Sequence, residues 1–255
     1  MARHNNKKPL KTYPVEYKPG TGENAEPDIS WKSLRDTHTE KRFQFKPANT
    51  KQEQLCQAIE KGQLNLVTGV AGTGKSLAVC AMAARLLLEG KIEKVIITRP
   101  MVGVGGKTGG FLPGDANMKM MPYVFQMLDY LSDCLGEKTY KDYLAKGIIE
   151  IMSLEFMRGY SSKKVMVICD ESENLSWSEL LMIVTRIGKE SRMCLMGDLT
   201  QTDLNLTSRE LPFYKFLCQI KPLIDKGKIG HFNLTEILRS GIVRDIIELL
   251  SKRPK

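Results

Sequence analysis

The sequence is poor in the features that mark secreted, metal-caged or membrane proteins. Its six cysteines, at 56, 80, 134, 169, 194 and 218, include no close pair and have no histidine near them, so neither a disulfide framework nor a zinc site is expected. They read as reduced core residues. Long apolar runs are missing too: the longest, Leu77 to Leu88, is interrupted by Arg85 and is too short to span a bilayer. The amino terminus, Met1 to Leu10, is polar and basic without an apolar signal core, and a cytoplasmic protein with no membrane contact is expected. Acids are outnumbered, with 29 Asp and Glu against 38 Lys and Arg for a net charge of +9. That excess favours a polyanionic partner, although surplus lysine also keeps proteins soluble. Hydrophobic residues make up 42% of the 255, enough for one sizeable α/β core but cramped for two.

The most informative stretch is Gly69-Val70-Ala71-Gly72-Thr73-Gly74-Lys75-Ser76, which satisfies every fixed position of a phosphate-binding P-loop. Leu64 to Thr68 before it reads as a buried strand, and Leu77 to Leu88 after it has the composition of a packed helix. The glycines let backbone N–H groups face a phosphate at the positive end of the new helix, which Leu77 helps to open. Lys75 is placed to reach the β- and γ-oxygens, and Ser76 to ligate Mg²⁺. Binding and cleavage of a nucleoside triphosphate is therefore expected.

Up to about Lys46 the chain is rich in Lys, Asn, Pro and Gly without a sustained period, the pattern of a basic, flexible arm. Residues 47–255 are expected to form one domain. A helix from Asn49 carries Gln52, Gln54 and Gln57, and further strand candidates are Lys94 to Thr98, Ile148 to Met152, Lys164 to Cys169 and Arg192 to Met196. Helical segments fall between them, at Met118 to Cys134 and at Ser176 to Ile187; the latter opens on a capping box, Ser176 with Glu179, and stops at Gly188. This alternation predicts an α/β fold with a mainly parallel sheet, helices on both faces and ligands at the carboxyl ends of the strands.

The strand candidate ending at Cys169 runs into Asp170-Glu171, the acids expected on the strand beside the phosphate loop. Asp170 would hold the magnesium shell, and Glu171 would orient and polarise the attacking water. A third rim segment, Gly197-Asp198-Leu199-Thr200-Gln201, offers an amide at Gln201 to sense the γ-phosphate. A second glycine-rich stretch, Gly103 to Gly110, fails as a P-loop because Met101 stands where the first glycine belongs. It reads as a loop in which Arg99, Lys107, Lys119 and Phe111 could meet a nucleic-acid backbone and stack a base.

Beyond the P-loop, Thr98-Arg99-Pro100, Phe111 to Asp115, Phe156-Met157-Arg158-Gly159, Thr185-Arg186-Ile187-Gly188 and Gly197 to Gln201 resemble the PhoH family of ATPases. That family is similar to the first RecA-like core of superfamily 1 helicases. The resemblance runs from about Asn49 to Leu250 and implies a Mg²⁺-dependent ATPase acting on RNA or single-stranded DNA. It makes Gln52 an adenine-reading glutamine and Arg239, in Leu238-Arg239-Ser240, an arginine finger. Few residues follow Arg239, so a monomer is not expected to clamp a strand between two such domains, and the resemblance implies a homo-oligomeric ring, a hexamer, in which a neighbour could supply Arg239. The family's usual Asp-Glu-Ala-Gln-Asn stands here as Asp170-Glu171-Ser172-Glu173-Asn174, an acid in place of an amide. The competing readings are an ATP-driven protein remodeller without a nucleic-acid track and, less favoured, a small-molecule kinase.

Overall fold

The computed structural model describes residues 42–101, 116–160, 163–204, 206–238, 241–242 and 244–246. The arm up to residue 41, Lys107, Phe111 and Arg239 lie outside the described residues. Helix α1 (Thr50–Lys61) leads into β1 (Leu64–Gly69) and α2 (Lys75–Leu88), followed by β2 (Lys94–Thr98), α3 (Ala116–Leu135), α4 (Glu137–Ala145) and β3 (Ile149–Ile151). Then come β4 (Val165–Cys169), α5 (Trp177–Val184), β5 (Arg192–Gly197), α6 (Pro212–Asp225) and β6 (Gly230–Leu234), with short 3-10 turns at Phe156–Gly159 and Ser172–Asn174.

The six strands form one parallel sheet in the order β3-β2-β4-β5-β1-β6. Their near-continuous apolar sequences follow from coverage of both faces, because successive side chains point to opposite sides. In β4, Met166 and Ile168 join the core under α1 to α4, whereas Val165, Val167 and Cys169 join the core under α5 and α6. The expected RecA-like architecture is present, with one correction. The acid-bearing β4 does not adjoin β1, because β5 pairs with both and lies between them. The segment after β5 therefore sits between the phosphate loop and the acids.

Local signals set several boundaries. Ser176 caps α5 by accepting from the Glu179 N–H at 3.3 Å while its own N–H donates to Glu179 Oε2 at 2.8 Å. That helix ends at Val184, with Thr185 as its cap, rather than at Gly188, closing in a tighter turn where the Arg186 N–H donates to Ile183 O. The elements α4, α6 and β6 were not among the sequence expectations. In β6 a polar edge pattern with a leading glycine disguises the strand, since His231 and Asn233 alternate with better-buried neighbours. Five cysteines are buried as expected, but Cys218 on α6 is exposed. Among the described residues, no helix is long and apolar enough to cross a membrane.

Candidate nucleotide site

The phosphate loop joins β1 to α2 at the carboxyl rim of the sheet. Gly74 caps α2 in the left-handed region at φ 78°, and a Cβ there would stand 2.7 Å from Gln52 Nε2, so both backbone and space demand glycine. Thr73 is buried, and its hydroxyl donates to Val70 O at 3.0 Å, closing the loop on itself. Gln52, on the first turn of α1, is also buried. Its amide nitrogen donates to Thr73 O at 3.1 Å and its oxygen accepts from the Ala48 N–H at 2.9 Å. In this arrangement the glutamine nominated for adenine braces the loop.

A second brace comes from the segment after β6. The Leu238 N–H donates to Gly72 O at 2.9 Å, Asn49 Nδ2 to Glu236 Oε2 at 2.9 Å, and Lys51 Nζ to Asn233 O at 3.0 Å. Lys75 folds back onto the loop, its ammonium donating to Gly69 O at 2.6 Å and Val70 O at 3.0 Å. Burial pulls its pKa below the ordinary lysine value, while the negative charges of Asp198 and Asp170 oppose that fall. Ser76 and Leu77 are half-buried in the first turn of α2 and Ala71 is exposed.

The acid side is built by long-range contacts. The Asp170 N–H donates to Thr98 O at 3.0 Å, extending the pairing of β4 with β2. Glu171 follows in the left-handed region at φ 50°, unusual for a non-glycine residue, and its carboxylate forms an ion pair with Arg99. Burial raises the pKa of both acids, countered at Glu171 by the Arg99 charge. Glu173 lies deeper. Its Oε2 is buried without a hydrogen-bond partner and would stand 2.7 Å from a Cβ at Gly197. Burial pushes its pKa to about 8, so at neutral pH it is chiefly the uncharged acid, chemically close to the amide that the family resemblance places at this position.

Between these two halves, Asp198 Oδ1 accepts from Thr200 N at 2.9 Å and from the Thr200 hydroxyl at 2.6 Å. The Gln201 N–H donates to Asp198 O at 3.1 Å, and Gln201 itself is exposed on the rim. The second Asp198 oxygen, Oδ2, is buried without a partner. A cleft of about 570 Å³ opens beside the loop on the β6 side, lined by Gly69, Val70, Asp198, Asn233, Glu236 and Arg244 among others.

The strand order thus brings Lys75, Ser76, Asp170, Glu171 and Gln201 to one rim. A divalent ion there would draw on Ser76 and Asp170 and take its remaining ligands from phosphate and water. Among the described residues, no group of three His, Cys, Asp or Glu side chains makes a metal cage unaided. The loop cradle, the Lys75 ammonium and the unpartnered buried Oδ2 of Asp198, whose charge acts on Lys75, fit Mg²⁺ with a nucleotide. The pairing of Arg99 with Glu171 was not visible in the sequence, because the partners stand 72 residues apart. The brace from Glu236 and Leu238 was hidden behind the unrecognised β6.

A sequence profile described as PhoH-like protein matches residues 44–251. The PhoH-like protein of Synechocystis sp. is 34% identical over 203 residues, covering 78% of this chain and 60% of that protein. The PhoH-like protein of Bacillus subtilis is 34% identical over 203 residues, covering 79% of this chain and 62% of that one. The chain therefore spans about three fifths of the length of these relatives. Among solved structures, a large terminase from a thermophilic bacteriophage superposes with a TM-score of 0.53 at 10% identity, covering 82% of this chain and 51% of the terminase, a likeness of fold. With the profile match and these identities added to a RecA-like sheet bearing a complete P-loop, the chain belongs to the PhoH-like protein family.

Proposed function

We propose that this protein is a Mg²⁺-dependent ATP hydrolase that acts on single-stranded nucleic acid, RNA or DNA. The observation that carries the reading is the shared rim: a braced phosphate loop with Lys75 after β1, and Asp170 with Glu171 after β4, separated by one strand. Loop N–H groups and Lys75 would bind the phosphates once the ammonium leaves the carbonyls of Gly69 and Val70. The β6-side cleft would take the nucleoside. Ser76 and Asp170 would hold Mg²⁺, which when bound bridges the phosphates and offsets developing charge. Glu171 would accept the proton of the attacking water, and Gln201 would contact the γ-phosphate.

The nucleic-acid part rests on the net charge of +9 and on the exposed ring of Tyr123, 48% accessible, beside Arg99 at the same rim. The arginine-finger role is assigned to Arg239 on the family resemblance of Leu238-Arg239-Ser240. Assembly into a ring, in hexameric form, would let a neighbour supply that arginine. Mixing Arg239→Ala with Glu171→Gln subunits is then expected to recover activity at mixed interfaces, and no recovery would refute supply in trans in a mixture shown to exchange subunits.

The direct test is phosphate release from ATP with Mg²⁺, alone and with RNA, single-stranded DNA or duplex, using Lys75→Ala as the blank. Stimulation by a single strand is expected. Release that no nucleic acid alters would overturn the track and favour an ATP-driven protein remodeller. Release no faster than the blank would overturn the ATPase itself.

A further inference from the structure

Two side chains stack beside the group assigned as base. Glu171 is paired with Arg99, and the Arg99 guanidinium lies over the Tyr123 ring, 4.9 Å from its centroid. Tyr123 is 48% exposed, the Arg99 side chain 12% and the Glu171 side chain 36%, so the guanidinium is the shielded member between two more accessible groups. Strand pairing sets the arrangement. Thr98 stands opposite Cys169 in the β2–β4 ladder, so the next residues, Arg99 and Asp170-Glu171, leave the sheet side by side.

A carboxylate bound to a guanidinium is a poorer base than a free one, because the pair stabilises its charged form and fixes its oxygens. The same guanidinium fork also fits phosphate, and aromatic rings stack bases irrespective of sequence. A strand lying across Tyr123 would place a phosphodiester in competition with Glu171 for Arg99. Exchange of one charge-assisted pair for another lets a modest difference in affinity move the equilibrium. We propose that Arg99 is a strand-sensing latch, which holds Glu171 idle until a nucleic-acid phosphate takes the guanidinium and leaves the carboxylate free to act on water.

The latch rests on the ATPase and single-strand readings given above, and acts as a positioning device through Glu171. The test compares phosphate release by the full chain with and without saturating homopolymeric RNA or single-stranded DNA of equal length. With Arg99→Ala, basal release is expected to rise to the strand-stimulated level of the wild type, and added strand to give no further increase. Arg99→Lys, which keeps the charge but loses the fork, is expected to show intermediate basal release. Unchanged ATP binding by both variants identifies folded sites. Basal release falling toward that of Glu171→Gln in both folded variants would overturn the latch and make Arg99 a support for the base. Stimulation of Arg99→Ala by the wild-type factor would also overturn it while leaving the single-strand reading intact. A wild type that hydrolyses ATP but responds to neither polymer would overturn both. The RNA and DNA arms separate the two sources of phosphate.

Discussion

The phosphate loop after β1 and the acidic turn after β4 both follow a buried parallel strand, yet they hold their shapes by different means. The first takes its turn from local backbone, with Gln52 and Leu238 bracing it from other elements: Gly74 turns left-handed, Thr73 closes on Val70, and Lys75 bonds the carbonyls of Gly69 and Val70. The second depends on distant partners. Arg99 arrives from β2, and Gly197 from β5 leaves just enough room for Glu173. Their electrostatics are opposite as well: burial draws the Lys75 ammonium toward neutrality and drives Asp170, Glu171 and Glu173 toward their protonated forms. A locally built site fails when its own residues change, whereas an assembled one also fails when a remote spacer changes.

The largest effect expected is at the local half. Lys75→Ala should weaken ATP binding and cut turnover by at least ~10²-fold, the scale on which a lost charge-stabilising donor acts; titration of a fluorescent ATP analogue and phosphate release measure the two. Replacing glycine by alanine then contrasts the halves directly. Gly74→Ala should cost about 1–2 kcal/mol from its left-handed backbone and also displace Gln52, so nucleotide binding suffers with stability. Gly197→Ala should cost about 1–3 kcal/mol by overpacking against Glu173 and Phe213. Denaturant unfolding measures both losses, and an unaltered Gly197→Ala midpoint would break the claim of close spacing.

A further effect depends on pH. Folding raises the Glu173 pKa from 4.5 to about 8, so between those values the folded protein keeps a proton that the unfolded chain has released. Its contribution to stability is full below pH 4.5 and is lost as pH rises to about 8. Glu173→Gln should remove that slope. Thermal midpoints of variant and wild type, compared across this range, are expected to separate progressively in favour of the variant. Parallel profiles would show that Glu173 does not titrate as described.

What was legible in the sequence follows the same division. The P-loop octet carries its own geometry, and the apolar runs of β1, β2, β4 and β5 follow from a sheet covered on both faces. Asp170 and Glu171 were recognisable by their place after a strand, but the insertion of β5 beside β1 depends on pairing that no local pattern displays. Gln52 stood out by type, whereas its bonds to Thr73 and Ala48 depend on how α1 docks on the loop. The role of Glu173 was similarly hidden, because burial and not composition makes that acid resemble an amide.

The central claim is that Lys75 and Glu171, which follow strands separated by β5, serve one ATP molecule. Its most direct test pairs equilibrium ATP binding with single-turnover phosphate release in wild type and Glu171→Gln. Binding is expected to persist while release slows by about 10²–10⁴-fold, the range for loss of a general base. Equal release rates in the two proteins would contradict the account.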